Sequence, residues 1–218
     1  GMAELLARVR AALRRRIQES GASPVYRSAG LVVDLVRRLV SVDGAEVRLL
    51  RVAETLPTEV LEKMGAVEAQ KAFAHVPLAE ANHLADADAT IFGCPTQFGS
   101  APAQMRAFLD NTVRLWGSGA LVGKVASAFT STASQHGGQE TTLLTLSTFF
   151  YHHGMVIVGV PYTVPELTDV TEMMGGSPYG AATIVGAQGE RLPSAKELAI
   201  ARAQGDHVAR IAAKLARD

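Results

Sequence analysis

Two short polar loops are the stretches of this 218-residue chain that most suggest a binding site. The first is Pro95-Thr96-Gln97-Phe98-Gly99-Ser100, and the second runs from Ser131 through Gln135, His136, Gly137 and Gly138 to Gln139. Each follows a short apolar run, at residues 89–92 and 124–130, and each precedes a stretch of helical periodicity. In an open parallel sheet such loops fall at the carboxyl ends of strands, where ligands bind. Hydroxyls, glycine N–H groups and the face of Phe98 suit a flat heteroaromatic ring with polar edges. The same residue types also make ordinary strand-to-helix turns, and both readings stand on spacing alone.

Other chemistries find little support. His152 and His153 are adjacent in a helical stretch and point to different sides of it. Together with His136 they show no ligand spacing, so no metal site is expected. A histidine closing the helix C-terminus is the plainer reading. There is no Gly-x-Ser-x-Gly, no Gly-x-Gly-x-x-Gly and no Walker loop. Cys94 sits at a strand end beside Pro95 and reads as a buried, inert thiol. As the single cysteine it can form no internal disulfide, which points to an intracellular protein.

The composition, 48% hydrophobic and 19% charged, suits a globular protein and argues against disorder. Lys+Arg and Asp+Glu are 21 each, so no global charge draws the chain to nucleic acid or membrane. Locally, residues 1–51 hold ten arginines against five acids. Five of them, Arg8, Arg10, Arg14, Arg15 and Arg16, fall on a helix expected over residues 4–17, as either a solvated basic face or a contact for nucleic acid or acidic lipid. No apolar run is long enough to span a bilayer. The Arg-rich start lacks an apolar core followed by a cleavage site, so no secretory signal is expected.

These loops need elements to position them. Val25, Ala29, Val32, Val36 and Leu39 predict a helix over 24–40, with Ser23 as N-cap and Pro24 at its first position. Asp43-Gly44 reads as a turn, 45–52 as a strand and 56–85 as irregular with short helical pieces. After the first loop, Met105, Phe108, Leu109, Thr112 and Val113 predict one helix ending at Trp116. A helix over 140–152 and a strand over 155–160, buried on both faces, follow the second loop. Residues 161–193 form a long Gly/Pro-rich connection. Ser194 and Glu197 make a capping box that opens the last helix. Strands alternating with helices predict one domain, 1–218, built as a doubly wound parallel sheet.

Beyond this the chain resembles the WrbA-type NAD(P)H:quinone oxidoreductases, which are flavodoxin-like FMN proteins. The likeness runs from about Asp43 to the end, and its motifs are Pro-Thr-x-Phe-Gly at 95–99, Leu-Trp-x-Ser-Gly at 115–119, Ser-Thr at 131–132 leading to Gly-Gly-Gln-Glu at 137–140, and His-His-Gly-Met at 152–155. The resemblance implies a flavodoxin-like three-layer α/β sandwich with a parallel sheet of about five strands. It implies FMN against Pro95, Thr96, Gln97, Phe98 and Gly99 on one wall. Ser131, Thr132, Ala133, Ser134, Gln135, His136 and Gly137 form the other. His152 would touch the flavin, Trp116 would reach into a neighbouring protomer's site in a homotetramer, and Tyr162 would lie near the entrance. The implied activity is two-electron reduction of a quinone by NADH or NADPH, in the cytoplasm, without metal, nucleic acid or membrane insertion.

The chain departs from that family at its start. A flavodoxin-like chain opens with a buried central strand and a phosphate-binding loop. Here the corresponding residues are Ala11–Gln18 (AALRRRIQ), and three consecutive arginines do not suit a strand buried on both faces. Residues 1–30 are atypical in this sense. Ser20–Ser23 reads either as a remnant of the phosphate loop or as a helix-capping turn. Gln97 stands where many relatives have arginine, and Gln135-His136 replaces small residues. The alternative function is therefore a flavodoxin-like binding or structural protein with an impaired FMN phosphate site.

Overall fold

A computed structural model describes residues 25–28, 31–34, 39–42 and 45–216. Two units make up the chain, Gly1–Leu50 and Arg51–Asp218. The described part of the first is an antiparallel meander of β1 (Val25–Ser28), β2 (Leu31–Asp34), β3 (Leu39–Val42) and β4 (Ala45–Val47). Val25 lies opposite Asp34, Leu31 opposite Val42, and Val42 opposite Ala45. This corrects the helix expected over 24–40. Val25 and Val32 pair in β1 and β2 instead, and β-branched residues lose χ1 freedom in a helix. The strand expected over 45–52 ends at Val47. The helix expected over 4–17, the Ser20–Ser23 candidate and the Asp43-Gly44 turn lie outside the described residues.

The second unit is built on a parallel sheet. β5 (Ala89–Pro95) and β6 (Val125–Thr132) run in register from Ala89 opposite Val125 to Pro95 opposite Ser131. The other edge of β6 is shared by two short strands. β7 (Val156–Ile157) pairs with Val125 and Ala126, and β8 (Ala182–Ile184) pairs with Thr130 through Thr132. The strand expected over 155–160 is thus a two-residue ladder, extended by Val158 N–H to Ala126 O at 2.9 Å. Residues 161–193, read as a plain connection, carry β8 and a 3₁₀ turn at Pro165–Thr168.

Glycines allow this interruption. A Cβ on Gly180 would meet Ala128 O at 2.1 Å, and one on Gly159 would meet Pro178 O at 2.1 Å. The gap between β7 and β8 is closed by the buried amide of Gln204. Its Nε2 donates to Ser127 Oγ (2.6 Å) and Ala128 O (2.8 Å), and its Oε1 accepts from Ala181 N–H (2.8 Å). A side chain thereby satisfies polar groups that the split strand leaves inside the fold.

Helices cover both faces. The described ones are α1 (Thr58–Lys63), α2 (Ala66–Lys71), α3 (Ala81–Asp86), α4 (Ala103–Asp110), α5 (Val113–Ser118), α6 (Gln139–His152) and α7 (Ala195–Leu215). The single helix expected up to Trp116 is two, because Thr112 Oγ1 donates back to Leu109 O at 2.6 Å and the chain turns there. Alternation along β6 sends Ala126 and Ala128 to a core with Met105, Leu109, Leu143, Leu146 and Phe150. Val125 faces the opposite way, packing with Val208 and Ala212 of α7. Ser194 caps α7 as its box predicts, accepting from Glu197 N–H. No helix among the described residues is long and apolar enough to cross a membrane.

Candidate functional site

β5 and β6 end at the same height, so the loops that follow them are neighbours. Thr96 N–H donates to Ser131 O at 2.9 Å, which ties one loop to the other. The first loop then reverses tightly. Gln97 N–H donates to Ser100 O (2.7 Å) and Ser100 N–H returns to Gln97 O (3.1 Å). Both central residues are left-handed, Phe98 at φ 51° and Gly99 at φ 77°, as a tight turn of the primed kind requires. Glycine takes that geometry freely; phenylalanine does not. Phe98 is 98% exposed, so no burial within the chain offsets its strain.

The second loop is braced from inside. Thr132 Oγ1 donates to Ser134 O (2.8 Å) and receives Gln139 Nε2 (2.9 Å). His136 is left-handed at φ 52°, and Gly138, at φ 100°, is the N-cap of α6. Among the described residues no hydrogen bond engages the backbone N–H groups of Ala133, Ser134, Gln135, His136 or Gly137. Five successive unclaimed donors at a strand's carboxyl end form a concavity for acceptor atoms.

The two walls are pinned close together. A Cβ on Gly138 would lie 2.9 Å from Gly99 Cα. Thr96 Oγ1 accepts from Gly99 N–H (3.1 Å) and from the Thr142 hydroxyl (2.8 Å). Gln139 closes the second loop as read from the sequence, and Thr142 is a supporting residue that sequence reasoning missed. Nothing in the type or spacing of Thr142 sets it apart from other polar residues at the start of an amphipathic helix.

The remaining predicted residues lie elsewhere. His152 is exposed at the far end of α6, about 20 Å from its N-terminus at 1.5 Å per residue. Trp116, 58% exposed, is on α5, whose preceding residue Thr112 meets the end of α6. Tyr162 stands exposed where the chain leaves β7. The structure therefore brings residues 95–99 and 131–137 together, and keeps His152 a helix length from the second loop of its own chain.

His153, not His152, is the buried member of the pair. Thr112 gives its hydroxyl proton to Leu109 O, so it accepts from His153 Nε2–H at 3.1 Å. Nδ1 is then the unprotonated nitrogen, and it has no partner among the described residues. Burial holds this imidazole below its usual pKa, with His152 adding to the effect. It is a neutral packing group against Phe149, ring centroids 4.4 Å apart.

Cys94 lines a cavity of about 390 Å³ on the α7 side of the strand ends, with Gly93, Phe129 and Ser131. Burial pushes its thiol up to about 11. At pH 8 the thiolate fraction is then roughly a hundredfold below that of an ordinary cysteine. Alkylation by iodoacetamide is expected to be slower by about that factor in the native chain than in urea. Equal rates would show an accessible, ionised thiol.

A family model described as NADPH-dependent FMN reductase matches residues 21–168. A protein named NAD(P)H dehydrogenase (quinone) from Geobacter sulfurreducens is 60% identical over 191 residues, covering 88% of this chain and 93% of that protein. Another of that name, from Methanosarcina acetivorans, is 54% identical over 196 residues, 88% and 92% of the two chains. Among solved structures, the flavodoxin, WrbA-like protein from Agrobacterium tumefaciens matches with a TM-score of 0.50 at 28% identity. That match covers 65% of this chain and 77% of that one.

Proposed function

The chain belongs to the NADPH-dependent FMN reductase family, and from that premise we propose that it is an FMN-dependent NAD(P)H:quinone oxidoreductase of the WrbA type with a flavodoxin-like fold. The observation that carries the reading is the facing pair of loops. Unclaimed N–H groups at residues 133–137 suit the acceptor atoms along the polar edge of an isoalloxazine ring. Thr96 adds a hydroxyl, and exposed Phe98 adds an aromatic face. Gly138 keeps the walls close. The residues present fit the ring.

When bound, FMN would supply the redox chemistry, relaying a hydride equivalent from NADH or NADPH to a quinone, which takes up a proton from solvent and leaves as hydroquinone. The chain's own part is to bind and orient. Pro95, Thr96, Gln97, Phe98 and Gly99 form one wall; Ser131, Thr132, Ala133, Ser134, Gln135, His136 and Gly137 form the other. No protein nucleophile is required. Strain at Phe98 is the kind that binding a ligand against its ring offsets.

We also read the site as shared between copies in a homotetramer. His152 lies a helix length from the second loop of its own chain, which supports its reaching the flavin of a second copy, and exposed Trp116 is read as doing the same. Exposed Val113, Trp116, Val122 and Tyr151 supply apolar surface on α5, near it and at the end of α6. Tyr162 borders the entrance for quinone. A protein that uses reduced pyridine nucleotide and carries one buried thiol belongs in the cytoplasm.

The test is direct. Purified protein should show a flavin absorbance band that survives desalting, and should oxidise NADH or NADPH with benzoquinone as acceptor. Phe98→Ala should weaken FMN binding about tenfold without lowering Tm, since the ring is exposed. A colourless chain that takes up no added FMN overturns the reading in favour of a binding or structural protein.

A further inference from the structure

One hydroxyl in the proposed ring wall has its proton's direction decided for it. Thr96 Oγ1 accepts from Gly99 N–H at 3.1 Å and from the Thr142 hydroxyl at 2.8 Å. A hydroxyl oxygen carries two lone pairs and one proton. The buried Thr142 hydroxyl has no other acceptor among the described residues, so its proton goes to Thr96, whose two lone pairs are then engaged and which meets a ligand as a donor. Thr142 itself is fully buried in the first turn of α6, whereas Thr96 is half-buried at the loop. Thr141 beside it turns its hydroxyl to Gly138 O at 3.1 Å and plays no part in this pair.

We propose that Thr142 is a positioning residue that fixes Thr96 as an obligatory hydrogen-bond donor to an acceptor atom of the flavin ring. The assignment rests on the FMN reading above. A free threonine hydroxyl rotates and serves donors and acceptors alike. The isoalloxazine edge offers acceptors at N1, O2, O4 and N5 and one donor at N3–H. A hydroxyl locked as a donor favours the acceptors and repels N3–H, so it selects one orientation of the ring. Accepting two hydrogen bonds also makes the hydroxyl a stronger donor in a partly dry site. Its donation draws density from the ring, which the flavin's absorption band registers.

The experiment compares wild type, Thr142→Val, Thr142→Ser, Thr96→Val and the double valine variant. FMN affinity is read by fluorescence quenching, the bound flavin's spectrum is recorded, and amide exchange at Gly99 is followed on flavin-free protein. Valine keeps the size of threonine and removes the donor. Thr142→Val is expected to weaken FMN about fivefold, to shift the flavin band and to speed Gly99 exchange. Thr142→Ser restores all three, and Thr142→Val adds nothing in the Thr96→Val background. Equal losses with and without the Thr96 hydroxyl would mean packing alone and overturn the proposal, as would wild-type behaviour of Thr142→Val. If wild type takes up no FMN, the cofactor reading fails by itself. The Gly99 exchange rate then still decides: unchanged exchange in Thr142→Val overturns the positioning role, and faster exchange that serine reverses supports it.

Discussion

Replacing Glu197 with alanine is expected to destabilise the Arg51–Asp218 unit by about 3–5 kcal/mol, the scale for breaking a buried ion pair from one side. The Glu197 side chain is only 1% exposed. Its oxygens accept from Gly175 N–H (2.8 Å), Ser194 N–H (2.7 Å), Thr183 Oγ1 (2.9 Å), Ile184 N–H (3.3 Å) and Arg191 (2.9 Å). These partners belong to the excursion after β7, to β8 and to the start of α7, so one carboxylate gathers segments that share no other element. Alanine strands buried donors at Gly175 and Ile184, each costing about 1–3 kcal/mol. Glu197→Gln keeps the volume but not the charge, and should fall near the lower end. Urea unfolding followed by Trp116 fluorescence measures both. A loss under about 1 kcal/mol for alanine would mean that the loop holds without this hub.

The same carboxylate sets an acid limit. Burial alone would raise its pKa, but the Gly175 and Ser194 N–H groups, Arg191 and Thr183 outweigh burial and leave it below the ordinary 4.5. A depressed folded pKa contributes stability that is present in full above the unfolded value. That contribution is lost as pH falls through the folded value. Stability should therefore decline below about pH 4.5 in wild type, and Glu197→Gln should flatten that decline.

The architecture of the second unit was legible because its signals are local. Apolar runs at 89–92 and 124–130, polar loops after them and a capping box at Ser194 each specify an element by pattern and turn chemistry. The two loops that the structure brings together are the two picked out on spacing. What escaped notice depends on contacts between distant residues. β8 is three residues inside a Gly/Pro-rich stretch, and only pairing with Thr130–Thr132 makes it a strand. Gln204 looks like a solvated polar position and Glu197 like a capping residue alone, until the split sheet edge and the loop beside it need partners. In the first unit Val25 and Val32, at helical spacing, pair in strands, since a few valines satisfy either period. The reading of His152-His153 likewise turns on tertiary packing: sequence makes the two equivalent, and the break at Thr112 decides that His153 is buried.

Gly138→Ala tests the apposition of the loops most severely, and FMN affinity should fall by at least tenfold. Two costs combine there. At φ 100° an alanine is strained, by roughly 1–2 kcal/mol. Its Cβ would also lie 2.9 Å from Gly99 Cα, 3.2 Å from Thr141 Oγ1 and 3.3 Å from Thr96 Oγ1. The Thr141 hydroxyl can rotate away, but Gly99 Cα is backbone in a turn closed by two hydrogen bonds. The first loop must therefore move off the second, which breaks the Thr142–Thr96 contact and opens the slot. Gly189→Ala separates the two costs. Gly189 is left-handed at φ 69° with nothing within 4 Å of an added Cβ, so it should lower Tm by a few degrees and leave FMN affinity unchanged. If Gly138→Ala behaves like Gly189→Ala, losing stability but holding flavin as tightly as wild type, then close approach of the loops is not what shapes the ring site. Tight binding lost in the first variant and kept in the second would tie flavin affinity to the gap between Gly99 and Gly138.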